Sequence, residues 1–189
     1  MTKGLSLHKM GKFSEGLLNE ETIFANLDRC AGQTILDAGC GNGYMSKKFS
    51  RLPGNTCKIY ALDPDKGSID ALIKEIQHTN IEAFVGDITK PTGLKPSSID
   101  LVYLSTVFHL FSNAQIKGFV KEIKRILKPN ARLAIINIKK EDTPFGPPVE
   151  MRSSPEELRK KLPFTPKILI DVGDHFYMQL FENASNCRI

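Results

Sequence analysis

The sequence predicts an α/β fold with a doubly wound, mostly parallel sheet of seven strands. Short apolar runs typical of buried strands alternate along the chain with segments whose apolar residues recur at helical spacing. The last two runs flank Gly173-Asp174 and form a predicted hairpin, which adds one antiparallel strand. The 189 residues, 41% of them hydrophobic, suffice for one buried core. We therefore expect a single domain over 1–189, with an N-terminal helical cap at 1–31 and the core at 32–189.

Local start and stop signals support the individual elements. Asn19 followed by two acids predicts the start of a helix in the cap. Ser112 and Gln115 form a capping-box pattern at the start of an amphipathic helix that runs to Leu127, and Ser154 followed by proline begins the last helix. The predicted strands are Thr34–Leu36, Cys57–Asp63, Ile81–Asp87, Ser98–Ser105, Ala131–Ile138, Lys167–Val172 and His175–Phe181.

A glycine-rich turn follows the first strand of the core. Residues 37–45 read Asp-Ala-Gly-Cys-Gly-Asn-Gly-Tyr-Met, and three glycines let the backbone take positive φ and approach a ligand closely. The spacing is G-x-G-x-G, whereas the dinucleotide fingerprint is G-x-G-x-x-G, and Tyr44 stands where its third glycine would fall. This pattern therefore argues against NAD.

The turn and the strands after it resemble the class I S-adenosylmethionine-dependent methyltransferases, nearest to their small ubiquinone/menaquinone-type branch. The resemblance implies a Rossmann-like fold, S-adenosyl-L-methionine as cofactor, S-adenosyl-L-homocysteine as product and no metal. In that family the glycine loop wraps the methionine end of the cofactor. The resemblance thus assigns cofactor contacts to Asp37, Gly39, Cys40, Gly41, Asn42, Gly43 and Tyr44.

Two later acids have counterparts in the family. Asp63, followed by Pro64, ends the second strand about twenty residues past the loop, where nucleotide-binding units place a ribose-binding acid. Asp63 or Asp65 could instead cap the next helix. Asp87 and Ile88 match the positions that contact adenine in the family, although Asp87 could simply close its own turn.

The end of the fourth strand borders the reacting groups in family members. This implies cofactor contacts from Leu104 and Ser105 and makes Thr106 a candidate site residue. His109 is the candidate general base, although a histidine among apolar neighbours is often only packed. No Asn-Pro-Pro-Tyr or Asp-Pro-Pro-Tyr follows the strand, which argues against methylation of DNA adenine or glutamine.

The methyl acceptor is less well defined. The net charge is +5, and basic residues cluster between Lys117 and Lys140, but no aromatic residues alternate with them as in a base-stacking surface. We expect a small-molecule acceptor; RNA or protein, or cofactor binding without catalysis, are the alternatives. The oligomeric state is not predicted.

The remaining signals concern location and the N-terminus. The four cysteines have no metal-ligand spacing, so free thiols, and hence a cytoplasmic location, are expected. No apolar stretch approaches the roughly twenty residues of a membrane span. Residues 12–16 either cover the cofactor as a lid or fray as a terminus.

Overall fold

The computed structural model describes residues 15–27, 31–52 and 56–184, in which strands and helices alternate as predicted. The strands are β1 (Thr34–Ala38), β2 (Lys58–Asp63), β3 (Ile81–Val85), β4 (Ile99–Ser105), β5 (Leu127–Ile138), β6 (Thr165–Gly173) and β7 (Phe176–Glu182). The α-helices are α1 (Glu20–Asn26), α2 (Tyr44–Ser50), α3 (Lys66–Glu75), α4 (Asn113–Ile126) and α5 (Pro155–Lys161). Two 3₁₀ turns cover Phe108–Leu110 and Val149–Met151.

The strands form a seven-stranded sheet in the order β3-β2-β1-β4-β5-β7-β6. Pairing is parallel from β3 to β5, and β7 is antiparallel to both of its neighbours. The predicted fold class, including one antiparallel strand from the C-terminal hairpin, is therefore confirmed. The strand order reverses between β1 and β4, which is where open α/β sheets bind ligands, at the carboxyl ends of the strands.

Helices cover both faces of the sheet. Alternate residues of each strand point to opposite faces, so a central strand contributes side chains to both apolar layers. On β4, Leu101 and Tyr103 join a core cluster with α1, α2 and α3. Val102 and Leu104 join a second cluster with α4 and α5. All four side chains are almost fully buried, so β4 is a central strand with apolar layers on both sides.

The largest error in a predicted boundary lies between the long helix and the fifth strand. The long helix ends at Ile126, and β5 begins at Leu127 instead of Ala131, because Leu127 already pairs with Ile99 of β4. The pairing then shifts register before it resumes at Leu101, and Asn130 takes a left-handed φ of 62° in this irregular stretch. The local sequence pattern cannot indicate where β5 begins, because its first residue is set by pairing with β4.

The helix starts were predicted correctly. Ser112 and Ser154 both accept from the backbone three residues on, and the side chains of Gln115 and Glu157 reach back to form complete capping boxes. None of the described helices has the length and apolar character needed to cross a membrane.

Candidate functional site

The glycine loop after β1 folds back onto the end of β2. The backbone amides of Gly39 and Cys40 donate to the Leu62 carbonyl at 2.7 and 3.0 Å. Gly39 and Gly43 have φ values of 71° and 73°. A Cβ on Gly43 would lie 2.4 Å from the Leu72 side chain, so both conformation and space require glycine there.

Asp63 lies directly beside this loop, at the carboxyl end of β2. One carboxylate oxygen accepts from the Gly41 amide and the other from the Asp65 amide, both at 2.8 Å. Asp65 caps α3 by accepting from the Ser68 amide at 2.9 Å. The structure therefore separates the two acids: Asp65 caps the helix, and Asp63 ties the glycine loop to β2 while staying partly exposed. Pro64, between them, is exposed.

Asp87 follows β3 and closes its own turn, as the alternative interpretation of the sequence allowed. Its Oδ1 accepts from the Thr89 amide and hydroxyl at 2.9 and 2.6 Å, and Lys90 lies 3.5 Å from Oδ2. Partial burial raises the pKa of Asp87, but these hydrogen bonds and Lys90 outweigh it and hold the pKa below its usual value. The adjacent Gly86 amide donates to the Asp63 carbonyl, so Asp87 and Asp63 share one corner of the sheet. Ile88 is buried.

Both ring nitrogens of His109, in the 3₁₀ turn just beyond β4, have no hydrogen-bond partner among the described residues. Ser105, the last residue of β4, is half-buried. Burial, and then the charge of Arg152, lower the pKa of His109, so its imidazole is neutral at pH 7. Leu104 is fully buried, and Thr106 has a left-handed φ of 56°.

Side chains from the N-terminal segment contact the glycine loop. Glu15 accepts from the Asn42 side chain at 2.7 Å. Glu20 of α1 accepts from the Tyr44 hydroxyl and pairs with Lys48 at 2.9 Å. Residues 12–14 of the predicted lid lie outside the described part of the chain, but Glu15 next to them sits at the loop.

Cys40 is buried within the loop, where the charged thiolate is disfavoured. Burial, with the charges of Asp37 and Asp63, raises the pKa of Cys40 far above its usual range. Cys40 forms no disulfide, and Cys30 and Cys187 lie outside the described residues. No group of three or more potential His, Cys, Asp or Glu metal ligands occurs within the described ranges.

Asp37, in β1, is a buried acid directly beneath the loop. It is 3% exposed, and the Ser46 hydroxyl donates to it at 2.5 Å. Burial raises the pKa of Asp37 to about 6. Hydrogen bonding from Ser46 partly offsets this effect, and the charge of Asp63 adds to it. Burial thus makes the charged carboxylate less favourable, and a cation bound beside it would offset that cost.

The raised pKa of Asp37 predicts a pH dependence of the free protein's stability. Because the folded-state pKa lies above the unfolded value, Asp37's contribution is fully present below about pH 4 and is lost as the pH rises through about 6. At pH 7.5, Asp37→Asn should therefore raise the free energy of unfolding by roughly 1–3 kcal/mol. Near pH 4 the variant and wild type should have similar free energies of unfolding. Urea unfolding at both pH values measures this.

Asp70→Asn, on the exposed side of α3, is the control, and it should change the free energy of unfolding little at either pH. If Asp37→Asn showed the same pH dependence as wild type, the assigned titration of Asp37 would be wrong.

Arg152 was missed by the sequence interpretation. Its guanidinium is buried and donates to four carbonyl oxygens of the segment after β5: Lys139 at 3.1 Å, Glu141 at 2.6 Å, Phe145 at 3.2 Å and Pro147 at 2.8 Å. This one side chain therefore holds in place the loop between β5 and the second 3₁₀ turn. No local signal marks it, because its partners are backbone atoms of a nonrepetitive loop.

A cavity of about 590 Å³ lies elsewhere in the molecule. Its lining includes Ser97, Leu127, Thr165 and Asn183, at the amino ends of the parallel strands and the adjoining end of β7. None of the predicted site residues lines it. The predicted site residues lie at the opposite edge, at the glycine loop, Asp63 and the end of β4.

Comparisons with known proteins agree with this geometry. Residues 35–130 match a family described as a methyltransferase domain. An uncharacterized methyltransferase of Schizosaccharomyces pombe is 34% identical over 113 residues, 59% of this chain and 42% of that protein. A ubiquinone/menaquinone biosynthesis C-methyltransferase of Hahella chejuensis is 30% identical over 119 residues, 61% of this chain and 47% of that protein. The chain thus spans less than half the length of either.

Structural similarity extends over more of the chain. A SAM dependent methyltransferase from Aquifex aeolicus superposes with a TM-score of 0.81 and 26% identity, covering 90% of this chain and 93% of that one. The superposed part of the chain is therefore much longer than the residues matched by the family.

Proposed function

Because the chain belongs to the class I S-adenosylmethionine-dependent methyltransferase family, we propose that it transfers a methyl group from S-adenosylmethionine to a small-molecule acceptor. The observation that carries the proposal is the contact of Asp63 with the Gly41 amide. That contact brings the predicted ribose ligand and the glycine loop together at the ligand-binding edge of the sheet.

The residues at this edge suit the cofactor chemically. Asp37 offers a buried carboxyl that a cation would compensate, next to a loop in which glycine conformations allow close approach. In the proposal, the loop residues with Asp37, Cys40, Asn42 and Tyr44 hold the methionine end. Asp63 and Pro64 hold the ribose, Asp87 and Ile88 the adenine, and Leu104 and Ser105 flank the reacting end.

When bound, the cofactor supplies a methyl group made electrophilic by a sulfonium. The protein's contribution is to hold the acceptor atom in line, about 3 Å from that methyl, and to exclude water. The loop after β5, fixed by Arg152, would form one wall of the acceptor site and the turn with His109 another. Leu110 and Met151, next to His109 and Arg152 in sequence, are exposed apolar side chains suited to a small apolar acceptor.

The basic stretch between Lys117 and Lys140 supports a small-molecule acceptor over RNA. Several of its side chains already pair with carboxylates and are less available to phosphates. These pairs are Arg125–Glu122 at 2.6 Å, Lys128–Asp100 at 2.8 Å, Lys139–Asp171 at 2.8 Å and Lys140–Glu157 at 2.6 Å. A cytoplasmic location is part of the same proposal and agrees with the Cys40 thiol, which forms no disulfide.

The acceptor class can be tested with methyl-tritiated S-adenosylmethionine and a cell extract separated into small-molecule, RNA and protein fractions. The proposal expects label in the small-molecule fraction, and no label when Asp63→Ala replaces wild type. Label only in RNA or protein would overturn the acceptor class. Cofactor binding without transfer to any fraction would favour the non-catalytic alternative.

For a hydroxyl or carbon acceptor, His109 is the proposed general base. Its neutral ring has no partner on either nitrogen among the described residues, so it can accept a proton. We expect His109→Asn to lower kcat by roughly 10²-fold or more while cofactor affinity stays unchanged. The matched control is His78→Asn, because His78 is exposed on a turn with a left-handed φ that asparagine tolerates. Unchanged kcat in His109→Asn would show that the acceptor needs no base from this residue.

A further inference from the structure

Thr106, the first residue after β4, has a backbone conformation that is unfavourable for its side chain. Its φ of 56° lies in the left-handed region, where a Cβ comes too close to the following carbonyl oxygen. For a β-branched residue such a φ is a genuine outlier. The other described residues besides glycine that have a left-handed φ are not β-branched: they are His78, Ser97 and Asn130. The turn at the end of β4 therefore holds strain that a glycine in the same place would not.

Two hydrogen bonds hold Thr106 in this conformation. Its amide donates to the Ile136 carbonyl of β5 at 2.8 Å, and its hydroxyl donates to the Ser105 carbonyl at 2.8 Å. Its side chain is only half-buried. Glycine would keep the amide bond to β5 and take the same φ without steric cost, as Gly39 and Gly43 do in the glycine loop. Pairing with β5 therefore does not account for a threonine at this position.

The three residues after Thr106 contact the glycine loop, the core and the proposed acceptor site in turn. A Cβ on Gly39 would lie 2.6 Å from Val107 Cγ2, so Val107 packs against the first glycine of the loop. Phe108 is buried in the core cluster that includes α4. His109 follows, and neither of its ring nitrogens has a partner among the described residues. Because the three are consecutive, the direction in which the chain leaves β4 at Thr106 decides where each of them lies.

Threonine restricts this turn more than glycine would. Glycine has access to many backbone conformations, so with glycine the chain could leave β4 in several directions. A β-branched side chain is stiffer, and the hydroxyl bond to the Ser105 carbonyl adds a further restraint. Strained backbone persists where the surrounding contacts determine it, and it is concentrated at functional sites.

We propose that Thr106 is a positioning residue for methyl transfer: its restrained left-handed turn keeps Val107 on the glycine loop and holds His109 at the reacting end. The inference rests on the proposed function, because that function puts the reacting end between β4 and the glycine loop. Thr106 acts through the residues that follow it. It therefore affects the rate of transfer, whereas the glycine loop keeps its own bonds to the Leu62 carbonyl and to Asp63 for binding the cofactor.

Thr106→Gly tests this role, because it removes both the strain and the restraint. The assay uses methyl-tritiated S-adenosylmethionine and a fixed amount of the small-molecule fraction of a cell extract. The maximal rate should fall roughly tenfold or more, while the cofactor concentration that gives half the maximal rate stays unchanged. The Tm should equal or exceed that of wild type, because relief of strain offsets the greater freedom of glycine in the unfolded chain. The Leu110 amide, which donates to the Val107 carbonyl at 2.9 Å, should exchange its hydrogen faster.

Ser97→Gly is the matched control, because Ser97 has a left-handed φ of 48° in the turn before β4, at the opposite edge of the sheet. Its Tm should also equal or exceed that of wild type, but its rate should not change. Thr106→Val keeps the branched side chain and should retain more of the rate than Thr106→Gly.

Three results for Thr106→Gly would each overturn the inference. These are an unchanged maximal rate, unchanged exchange of the Leu110 amide, and a lower Tm together with weaker binding of S-adenosylhomocysteine by calorimetry. If wild type itself transferred no label to the small-molecule fraction, the proposed function would fail, which is a distinguishable result.

Discussion

Asp63→Ala is expected to weaken S-adenosylmethionine binding by roughly a hundredfold or more. In the proposed complex the carboxylate accepts from the ribose hydroxyls, and each hydrogen bond to a charged group contributes about 1.5–3 kcal/mol. The substitution also removes the acceptor of the Gly41 amide, so the glycine loop loses its link to β2. Calorimetric titration of wild type and variant with S-adenosylmethionine measures the change, and a separate titration with NADH should show no binding.

Asp65→Ala is the matched control, two residues away. Asp65 caps α3, so its loss should cost about 1 kcal/mol of stability and leave cofactor affinity nearly unchanged. The Asp65 backbone amide that donates to Asp63 is retained in this variant. Equal weakening by the two substitutions would contradict a direct ribose role for Asp63, because it would trace both effects to the local fold.

Gly118→Ala is expected to cause the largest loss of stability among single methyl additions, roughly 2–4 kcal/mol. Gly118 lies in α4, where its helix crosses the loop after β3 so closely that a Cβ would sit 2.1 Å from the Thr89 carbonyl oxygen. The backbone has to move to relieve that contact, because the carbonyl oxygen is itself a backbone atom. Urea unfolding of wild type and variant measures the loss.

Gly67→Ala provides the control in another helix. A Cβ there would lie 3.6 Å from the nearest Asp65 oxygen, which is ordinary contact, and Gly67 is in the first turn of α3. This substitution should stabilise the protein slightly, because alanine is the better helix former. If Gly118→Ala were as stable as Gly67→Ala, the close crossing of α4 over Thr89 would be refuted.

The contact of Gly118 with Thr89 also links the stability of α4 to the proposed cofactor site. Thr89 donates twice to Asp87, so a displaced Thr89 would disturb the proposed adenine contact. We therefore expect Gly118→Ala to weaken cofactor binding even at temperatures where it remains folded.

Much of the architecture follows from short-range patterns. The capping boxes at Ser112 and Ser154 involve residues three apart, and the predicted helix starts were confirmed there. The start of β5 was predicted four residues late because it depends on pairing between Leu127 and Ile99, which are far apart in sequence. The separate roles of Asp63 and Asp65 also needed the structure, since either acid could have capped α3.

The sequence by itself determined the fold class, the position of the glycine loop and the acids that follow the strands, because these depend on residue type and spacing within a few residues. Only the tertiary structure decided that Arg152 holds the loop after β5 and that Asp63 accepts from the Gly41 amide. Their surroundings come from segments distant in sequence. A side chain's partners, its burial and hence its pKa are set by which segments the folded sheet brings together.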